Sequence, residues 1–363
     1  MYTAIILQKS IKLMRKTAIL LLNIFLMLFL TTAAQADHTL SPSGFASISA
    51  AFDSLPADAG TVTVYLTPAG SGETETQIEI PADRGITGVI FLPAEGLEKV
   101  SLPDLERICA NGVPVTIGEG IVLENASVYG GACVSGGETV LESSSVTVSG
   151  TVGFVFGGGL AMDGGHTSVS DSFVTLTKTG LVYFEVVGGG HAYGSGSRST
   201  VENSSVEIRG TTDYVLGGGF AEEGGQAECT NAAIHTAPGS SVPVALFTGG
   251  SASGSGSLSV VGSAFGQVEG DAHWAFSGDF AFEGGETRLD QSTRLEILPG
   301  GSSAIAYLGS FASDEGSSAY VNTSELMSCG DVSQIIQDGQ STDQGSAVTL
   351  IKALFPCQSG PNP

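Results

Sequence analysis

The chain of 363 residues carries 13 lysine and arginine residues against 37 aspartate and glutamate residues, a formal net charge of −24. This balance excludes nucleic acid as a partner, because contacts to a phosphate backbone need a basic surface. Glycine is frequent, at 52 residues, but its spacing is too regular for a low-complexity sequence.

Residues 1–36 are typical of a secretory signal peptide. A basic pair at 15–16 precedes an apolar run over 18–30, and the small residues Ala34 and Ala36 flank Gln35 as signal peptidase requires. The apolar run is shorter than the roughly 20 residues that span a bilayer. We therefore expect a secreted mature chain that begins at Asp37 and has no membrane span; an uncleaved anchor is the alternative. Removing four basic residues and no acidic one takes the net charge to −28.

Residues 37–127 predict an N-terminal cap and the first irregular coils of a repeat protein. Four apolar residues between positions 45 and 55 have helical spacing before Pro56. Alternating apolar residues then predict strands at 61–66, 77–80 and 88–92. A cap is expected there because a terminal repeat otherwise exposes its core and an unpaired edge.

A unit of about 30 residues recurs seven times over residues 128–328. Its marker is an alanine that lies four residues before a glycine, at spacings that alternate between 29 and 31. A second ladder of apolar and small residues follows the marker in each unit, as in Val169/Ser172/Val174 and Val260/Ser263/Phe265; the sixth unit fits through Leu289 and Ser292 and then slips one place to Leu295. The marker alanines are Ala132, Ala161, Ala192, Ala221, Ala252, Ala281 and Ala312.

Each unit consists of short alternating apolar runs that glycine pairs or Gly-Ser-Gly separate, which is typical of strands and turns. About 30 residues accommodate three short strands and three corners, one coil of a parallel β-helix with roughly 4.8 Å between coils. The sequence therefore predicts an all-β, right-handed parallel β-helix of about seven coils with an N-terminal capping helix. A propeller is the alternative, although its blades usually need about 40 residues or more.

The order of these elements resembles the pectin-lyase-like right-handed parallel β-helix superfamily. The resemblance rests on Gly-Phe-Ala-Ser-Ile-Ser-Ala-Ala-Phe at 44–52, Thr-Val-Thr-Val-Tyr-Leu at 61–66 and the repeats, and covers most of residues 40–328. It implies a short amphipathic helix before the first coil. The calcium-binding acids and basic catalytic residue of pectate-type lyases have no residue-by-residue match here, so the resemblance implies the architecture and not a lyase activity.

Residues 329–363 lose the repeat and predict a C-terminal cap and tail, with a short helix over 346–355. Five cysteines in a secreted chain permit two disulfides and one leftover thiol. The pairs closest in sequence are Cys109 with Cys133 and Cys329 with Cys357, although spacing alone does not assign them. Cys229 falls on an apolar position of the repeat, which predicts a buried thiol.

The strongest candidate site is a ladder of carboxylates. Asp163, Glu223 and Glu283 take the same place in alternate units, two residues after the marker alanine. On stacked coils successive members lie roughly 9–10 Å apart, two strand spacings. That separation suits a calcium ion that also has carbonyl and water ligands. It also lies at the upper edge of the distances between the two catalytic carboxyl groups of inverting glycoside hydrolases. The alternative is a row of solvated turns. Calcium is the one cofactor that the sequence leaves open.

No motif predicts catalysis. The glycine triplets at 157–159, 188–190 and 217–219 recur in nearly every unit and lack the lysine of a phosphate-binding loop, and the five histidines share no metal-ligand spacing. We therefore expect a secreted or surface-associated, non-enzymatic protein, adhesive or structural, whose partner is an extracellular glycan or surface matrix. A polysaccharide-degrading β-helix enzyme, lyase or hydrolase, is the alternative.

Overall fold

A computed structural model describes residues 38–41, 47–68, 75–336, 340–341 and 347–356. These residues form a parallel β-solenoid of about nine turns, which confirms the predicted all-β coiled architecture. The signal peptide predicted at residues 1–36 lies outside the described residues. Within the described segments no helix is both long enough and apolar enough to cross a membrane.

The solenoid is built from three parallel sheets, A, B and C, and among the described residues the turns before Cys133 contribute strands to sheets A and B alone. Within the described residues sheet A has 12 strands. They are β1 (His38–Leu40), β2 (Gly60–Leu66), β4 (Ile86–Pro93), β7 (Val115–Ile117), β10 (Glu138–Val148), β13 (His166–Leu176), β16 (Arg198–Ile208), β19 (Gln226–Thr236), β22 (Leu258–Val268), β25 (Glu286–Ile297), β28 (Ser318–Ser328) and β31 (Ala347–Pro356).

Sheets B and C have 11 and 8 strands among the described residues. Sheet B contains β3 (Gln77–Glu79), β5 (Val100–Ser101), β6 (Arg107–Cys109), β8 (Ile121–Tyr129), β11 (Thr151–Phe156), β14 (Leu181–Val187), β17 (Thr211–Leu216), β20 (Ser241–Phe247), β23 (Asp271–Phe276), β26 (Ser302–Tyr307) and β29 (Asp331–Ile336). Sheet C contains β9 (Cys133–Ser135), β12 (Leu160–Met162), β15 (His191–Tyr193), β18 (Phe220–Glu222), β21 (Ser251–Ser253), β24 (Phe280–Phe282), β27 (Phe311–Ala312) and β30 (Gln340–Ser341).

The three predicted N-terminal strands lie within two residues of β2, β3 and β4, and the helix α1 (Ile48–Asp53) occupies part of the predicted helical segment. Ser47 caps α1 by accepting from the Ala50 N–H, and the Glu75 carboxylate accepts from two further N–H groups of the first turn. Phe52 is buried in the core. The capping role of this six-residue helix stays a prediction.

The marker-alanine ladder forms the inner position of sheet C, with one correction. Six of the alanines, from Ala161 to Ala312, are register partners on successive strands. In the first unit the partner of Ala161 is Val134, and the prediction for Ala132 is wrong. Tyr129 pairs with Phe156, so residues 130–132 correspond to the glycine triplet at 157–159 on the next coil. Ala132 therefore lies in the corner before sheet C, at the place of the third glycine.

The second ladder also needs a correction in two units. In β22 the inner residues are Val261, Ala264 and Gly266, so Phe265 points outward. In β25 the small inner residue is Thr293, one place after the predicted Ser292. A β-bulge there adds a residue to β25. In both units the predicted position is wrong by one residue. A shift of one residue along a strand exchanges the side chains that face inward with those that face outward.

The alternation between 29 and 31 residues arises from two kinds of corner. Four residues join sheet A to sheet B after β13 but only two after β16, and β14 is one residue longer than β17. The corner from sheet C to sheet A is one residue shorter after β12 than after β15. The net difference between neighbouring coils is therefore two residues.

The predicted C-terminal helix is wrong. Ala347–Pro356 forms the strand β31, which pairs in parallel with β28 at the end of sheet A. The free edge of β28 offers backbone partners, and the β-branched run Val348-Thr349 with Ile351 favours a strand. Tertiary pairing thus outweighs the helical spacing of this segment.

Cys109 and Cys133 form a disulfide between β6 and β9. Cys329 is also disulfide-bonded, while Cys357 lies outside the described residues. Cys229 is buried and free, as predicted, and burial raises the pKa of its thiol to about 12. A thiol with this pKa stays protonated at neutral pH and fills space as a small apolar group.

Candidate functional site

The predicted carboxylate ladder lies at the corners between sheets C and A. Asp163, Glu223 and Glu283 are exposed, and each adopts a positive φ, between 50° and 53°. Asp163 accepts a hydrogen bond from the Ser135 hydroxyl at 2.7 Å, and Glu283 accepts from the Ser253 hydroxyl at 2.8 Å. Two of the three acidic corners thus bond to a hydroxyl group of the preceding coil.

The coil between two successive carboxylates of the ladder has Gly-Ser-Gly at its corner and no carboxylate there. Successive carboxylates are therefore two coil spacings apart. Across the described ranges no group of three or more His, Cys, Asp or Glu side chains is arranged to hold a metal ion. The calcium ladder therefore stays a prediction of the sequence, and the geometry points to another part of the surface.

A second feature is an open depression of about 520 Å³ on the outer face of sheet A. It lies where the long strands bend. In β16 both Val201 and Ser204 are buried although they are three places apart, whereas a straight strand turns alternate residues inward. The depression is lined by Asn203, Ser204, Asn231, Ala232, Ala233, Ser263, Ala264, Phe265, Ser292, Thr293, Arg294 and Glu325.

A ladder of side-chain amides follows the bend into this depression. Asn203 Nδ2 donates to Asp171 Oδ1, and Asn231 Nδ2 donates to Asn203 Oδ1, both at 2.9 Å. At the next rung Ser263 donates to Gln291 at 3.1 Å. The amide ladder therefore ends at Asn231, on the wall of the depression.

The hollow exists because the outer side chain beside Phe265 on the preceding coil is small. Phe173, Ser205, Ala233, Phe265 and Arg294 follow one another in register on the outer face of sheet A. Ala233, the register partner of Phe265, fills little of the space beside the ring, and Phe265 is 36% exposed. One aromatic ring is thus presented at the edge of a space that is open to solvent.

Arg294 closes the far side of the depression. Its Nε donates to the Glu296 carboxylate at 2.6 Å, and its Nη1 lies 3.6 Å from the Glu325 carboxylate. Two carboxylates therefore hold the guanidinium in place. The depression combines amide, hydroxyl, guanidinium and carboxylate groups with one ring, an arrangement that suits a ligand rich in hydroxyl groups.

No sequence motif predicts this depression. The spacing of the second ladder groups Phe265 with the apolar residues of the other units, and only the pairing of β22 with its neighbours shows that it faces outward. The sequence does carry one signal of the amide ladder. Asp171, Asn203 and Asn231 share one place in successive units, so their side chains are neighbours on stacked coils. Models of protein families, curated proteins and solved structures give no match to this chain, so the geometry of the site carries the functional argument.

Proposed function

We propose that this chain is a secreted or surface-associated β-solenoid of the right-handed, pectin-lyase-like kind, adhesive or structural, which binds an extracellular glycan in the depression on sheet A. One observation carries the proposal: the end of the asparagine ladder, the exposed ring of Phe265 and the anchored Arg294 meet in one open hollow. The signal sequence at residues 1–36 supports secretion.

The chemistry of a sugar matches these groups. Each sugar hydroxyl both donates and accepts hydrogen bonds, and the Asn231 amide and the Ser263 hydroxyl also offer both. The apolar C–H face of a pyranose ring packs on an aromatic ring, and Phe265 is the exposed ring at this place. The volume of about 520 Å³ lies within the range of roughly 300–1,000 Å³ that is usual for ligand pockets.

The surface is also rigid before the ligand arrives. The strands β16, β19, β22 and β25 pair along most of their length on both sides of the bend. Asn203 is fixed at both ends, by Asp171 and by Asn231. Binding therefore requires little ordering of side chains, which favours affinity.

The charges of the depression favour a neutral glycan over an acidic one. Arg294 is the basic residue among the described lining residues, and Glu296 and Glu325 neutralise it. The chain as a whole is strongly acidic, at −24, and repels polyanions such as uronate or sulfated chains.

The test is calorimetric titration of the mature protein with neutral, uronate and amino-sugar oligosaccharides. We expect a neutral oligosaccharide to bind, and Phe265→Ala and Asn231→Ala each to weaken the affinity at least about tenfold, the loss of one good contact. Phe173→Ala is the matched control, because Phe173 occupies the same outer column outside the depression. Absence of binding by every sugar, or equal losses in Phe173→Ala and Phe265→Ala, contradicts the proposal.

A further inference from the structure

Sheet B exposes two aromatic rings in succession at a β-bulge. In β14 Val182 and Val186 are buried, and none of the three residues between them is. A regular strand would turn the middle one of these three inward. The register against both neighbouring strands shifts here, so β14 carries one extra residue. As a result Tyr183 is 39% exposed and Phe184 is 48% exposed.

The positions that oppose the bulge are a glycine and an aspartate. Tyr183 and Phe184 together lie opposite Gly153 on β11 and Asp213 on β17. Gly153 has no side chain, and the Tyr183 hydroxyl reaches past β11 to donate to Glu124 Oε1 on β8, at 3.5 Å. The bulge therefore brings groups of four successive coils onto one surface.

Two more rings complete this surface. The Phe184 ring stacks on the Phe154 ring of the preceding coil, with 4.8 Å between their centroids. Glu185 lies in register between Phe154 and Tyr214. Four rings and three carboxyl groups thus share the outer face of sheet B. We name this surface the ring patch: Phe154, Tyr183, Phe184, Tyr214, Glu124, Glu185 and Asp213.

The carboxyl groups of the ring patch have no cationic partner. Glu124, Glu185 and Asp213 form no ion pair within the described part of the chain. The strands β8, β11, β14, β17 and β20 contain no lysine, arginine or histidine. Arg107, on the next strand β6, donates to the Met162 sulfur at 3.6 Å instead. The patch therefore presents uncompensated acidic groups among exposed rings.

Glu185 is the most enclosed of these acids. It is half-buried, and its carboxyl group makes no hydrogen bond to a described residue. Burial, with a smaller contribution from the negative charge of Glu222, raises the pKa of Glu185 to about 8. The other titratable groups beside it are Tyr214 and Asp213 on β17, whereas its partner on β11 is a phenylalanine. A cation that reached this place would favour the ionised carboxylate.

We propose that the ring patch binds a basic polypeptide segment of another protein through its lysine or arginine side chains. A cation is attracted by the face of an aromatic ring and by a carboxylate, and the patch offers both groups together. Aromatic side chains are also enriched in protein interfaces. From β8 to β17 the patch spans three coil spacings, roughly 14 Å, which is the length of about four extended residues. An extended segment therefore matches it better than a small ammonium ion.

The charge of the whole chain selects the same partner. A net charge of −24 draws basic segments towards the surface and repels a second copy of this chain. The ring patch lies on sheet B, away from the depression on sheet A, and the proposal does not rest on glycan binding.

The test is fluorescence anisotropy of the mature protein with a labelled, end-capped Arg-Thr octapeptide. An ionic strength of about 0.15 M screens long-range attraction to the net charge. We expect this peptide to bind, and its citrulline counterpart, which has the same size without the charge, to bind at least about tenfold more weakly.

Variants of one ring separate the patch from attraction by charge alone. Phe184→Ala should weaken the affinity at least about fivefold, and Phe184→Trp should strengthen it, because indole is the better cation–π partner. Phe173→Ala is the matched control, since Phe173 is also 48% exposed but lies on sheet A.

The acids are tested in the same assay. Glu124→Gln and Asp213→Asn should each lower the affinity about two- to fivefold. Glu142→Gln removes the same charge from an exposed position of sheet A and should have little effect. Glu185 should release its proton when the peptide binds at pH 7, so the calorimetric heat should depend on the ionisation enthalpy of the buffer. Glu185→Gln should abolish that dependence.

The proposal is overturned if the octapeptide does not bind, or if Phe184→Ala and Phe173→Ala lose affinity equally. Tighter binding of spermine or of a chitosan oligomer than of the peptide also overturns it. Phe265→Ala, in the depression, should keep the parent affinity for the peptide. Failure of peptide binding and failure of glycan binding are therefore separate results.

Discussion

Asp279 Oδ1 accepts a hydrogen bond from the backbone N–H of Gly250 at 2.9 Å, across one coil of the solenoid. Since Phe247 pairs with Phe276, Asp279 occupies the place that Gly250 holds in the preceding corner. The residue is 1% exposed, and its Oδ2 finds no partner among the described residues. Burial raises the pKa of this carboxyl to about 8.

Stability should consequently fall as the pH rises. The ordinary pKa of Asp279 is 3.8, so between about pH 4 and 8 the folded chain holds a proton that the unfolded chain releases. The stabilisation that the protonated Asp279 carboxyl provides is complete near pH 4 and is lost as the pH rises to about 8. We expect Asp279→Asn, which keeps the acceptor for Gly250, to raise Tm at pH 8 and leave it unchanged at pH 4.

Thermal unfolding at several pH values measures this effect. Glu185 contributes in the same direction, so the informative quantity is the difference between variant and parent at each pH. Glu283→Gln, at an exposed corner, is the control. Parallel curves for Asp279→Asn and the parent contradict the assignment.

The glycine triplets allow neighbouring coils to approach closely. A Cβ on Gly157 would lie 2.5 Å from the Gly188 carbonyl oxygen and would also overlap the Ser172 hydroxyl. We expect Gly157→Ala to destabilise the fold by ~3 kcal/mol or more, since the obstacle is backbone that cannot move aside. Gly164→Ala meets no atom within 4 Å, and its φ of 76° costs only about 1–2 kcal/mol. Denaturant unfolding should rank the two variants in this order; an equal loss would contradict the packing argument.

Buried serines at the bend of sheet A tie that sheet to the glycine corners. The Ser172 hydroxyl donates to the Gly188 carbonyl at 2.7 Å, and Ser144 makes the same bond to Gly157 at 2.6 Å. Ser172→Ala removes this bond from a buried carbonyl, and we expect a loss of about 1–3 kcal/mol. Ser170→Ala, on the exposed face of the same strand, should change the free energy of unfolding by less than about 0.5 kcal/mol. A similar decrease in the free energy of unfolding in both variants would show that the hydrogen bond of Ser172 does not stabilise the fold.

The calcium ladder predicts a rise in Tm on adding calcium. A cation that binds only the folded chain stabilises it by about 2.7 kcal/mol at one hundred times its dissociation constant. Charge screening also stabilises so acidic a chain, so calcium must be compared with sodium at matched ionic strength. We expect Glu223→Gln to reduce the gain. An equal gain in variant and parent would leave Asp163, Glu223 and Glu283 as solvated turns.

Periodicity predicted the coils because glycine and alanine recur wherever corners and narrow interiors exclude larger side chains. It failed where one-place shifts matter, at Ala132, Phe265 and Ser292, since only pairing between coils decides which side chains face inward. It failed again at β31, where the edge of β28 determines the conformation.

The candidate sites were harder to predict than the fold. The depression arises because Ala233, beside Phe265, has a small side chain, and a small side chain at one position is not a recognisable sequence motif. The hydrogen bond from Tyr183 to Glu124 joins coils 59 positions apart in sequence. Residues this distant share a site only because the coils stack, so their spacing carries no signal before the register is known.

The two kinds of corner make a pair of coils the smallest module of this rod. An Asp163-type corner always stacks on a corner of the other kind, so removing one coil would place two like corners in contact. Removing or duplicating 60 residues preserves every neighbour relation between corners. The rod can therefore change length in steps of two coils, roughly 9–10 Å, and keep the same lateral surface.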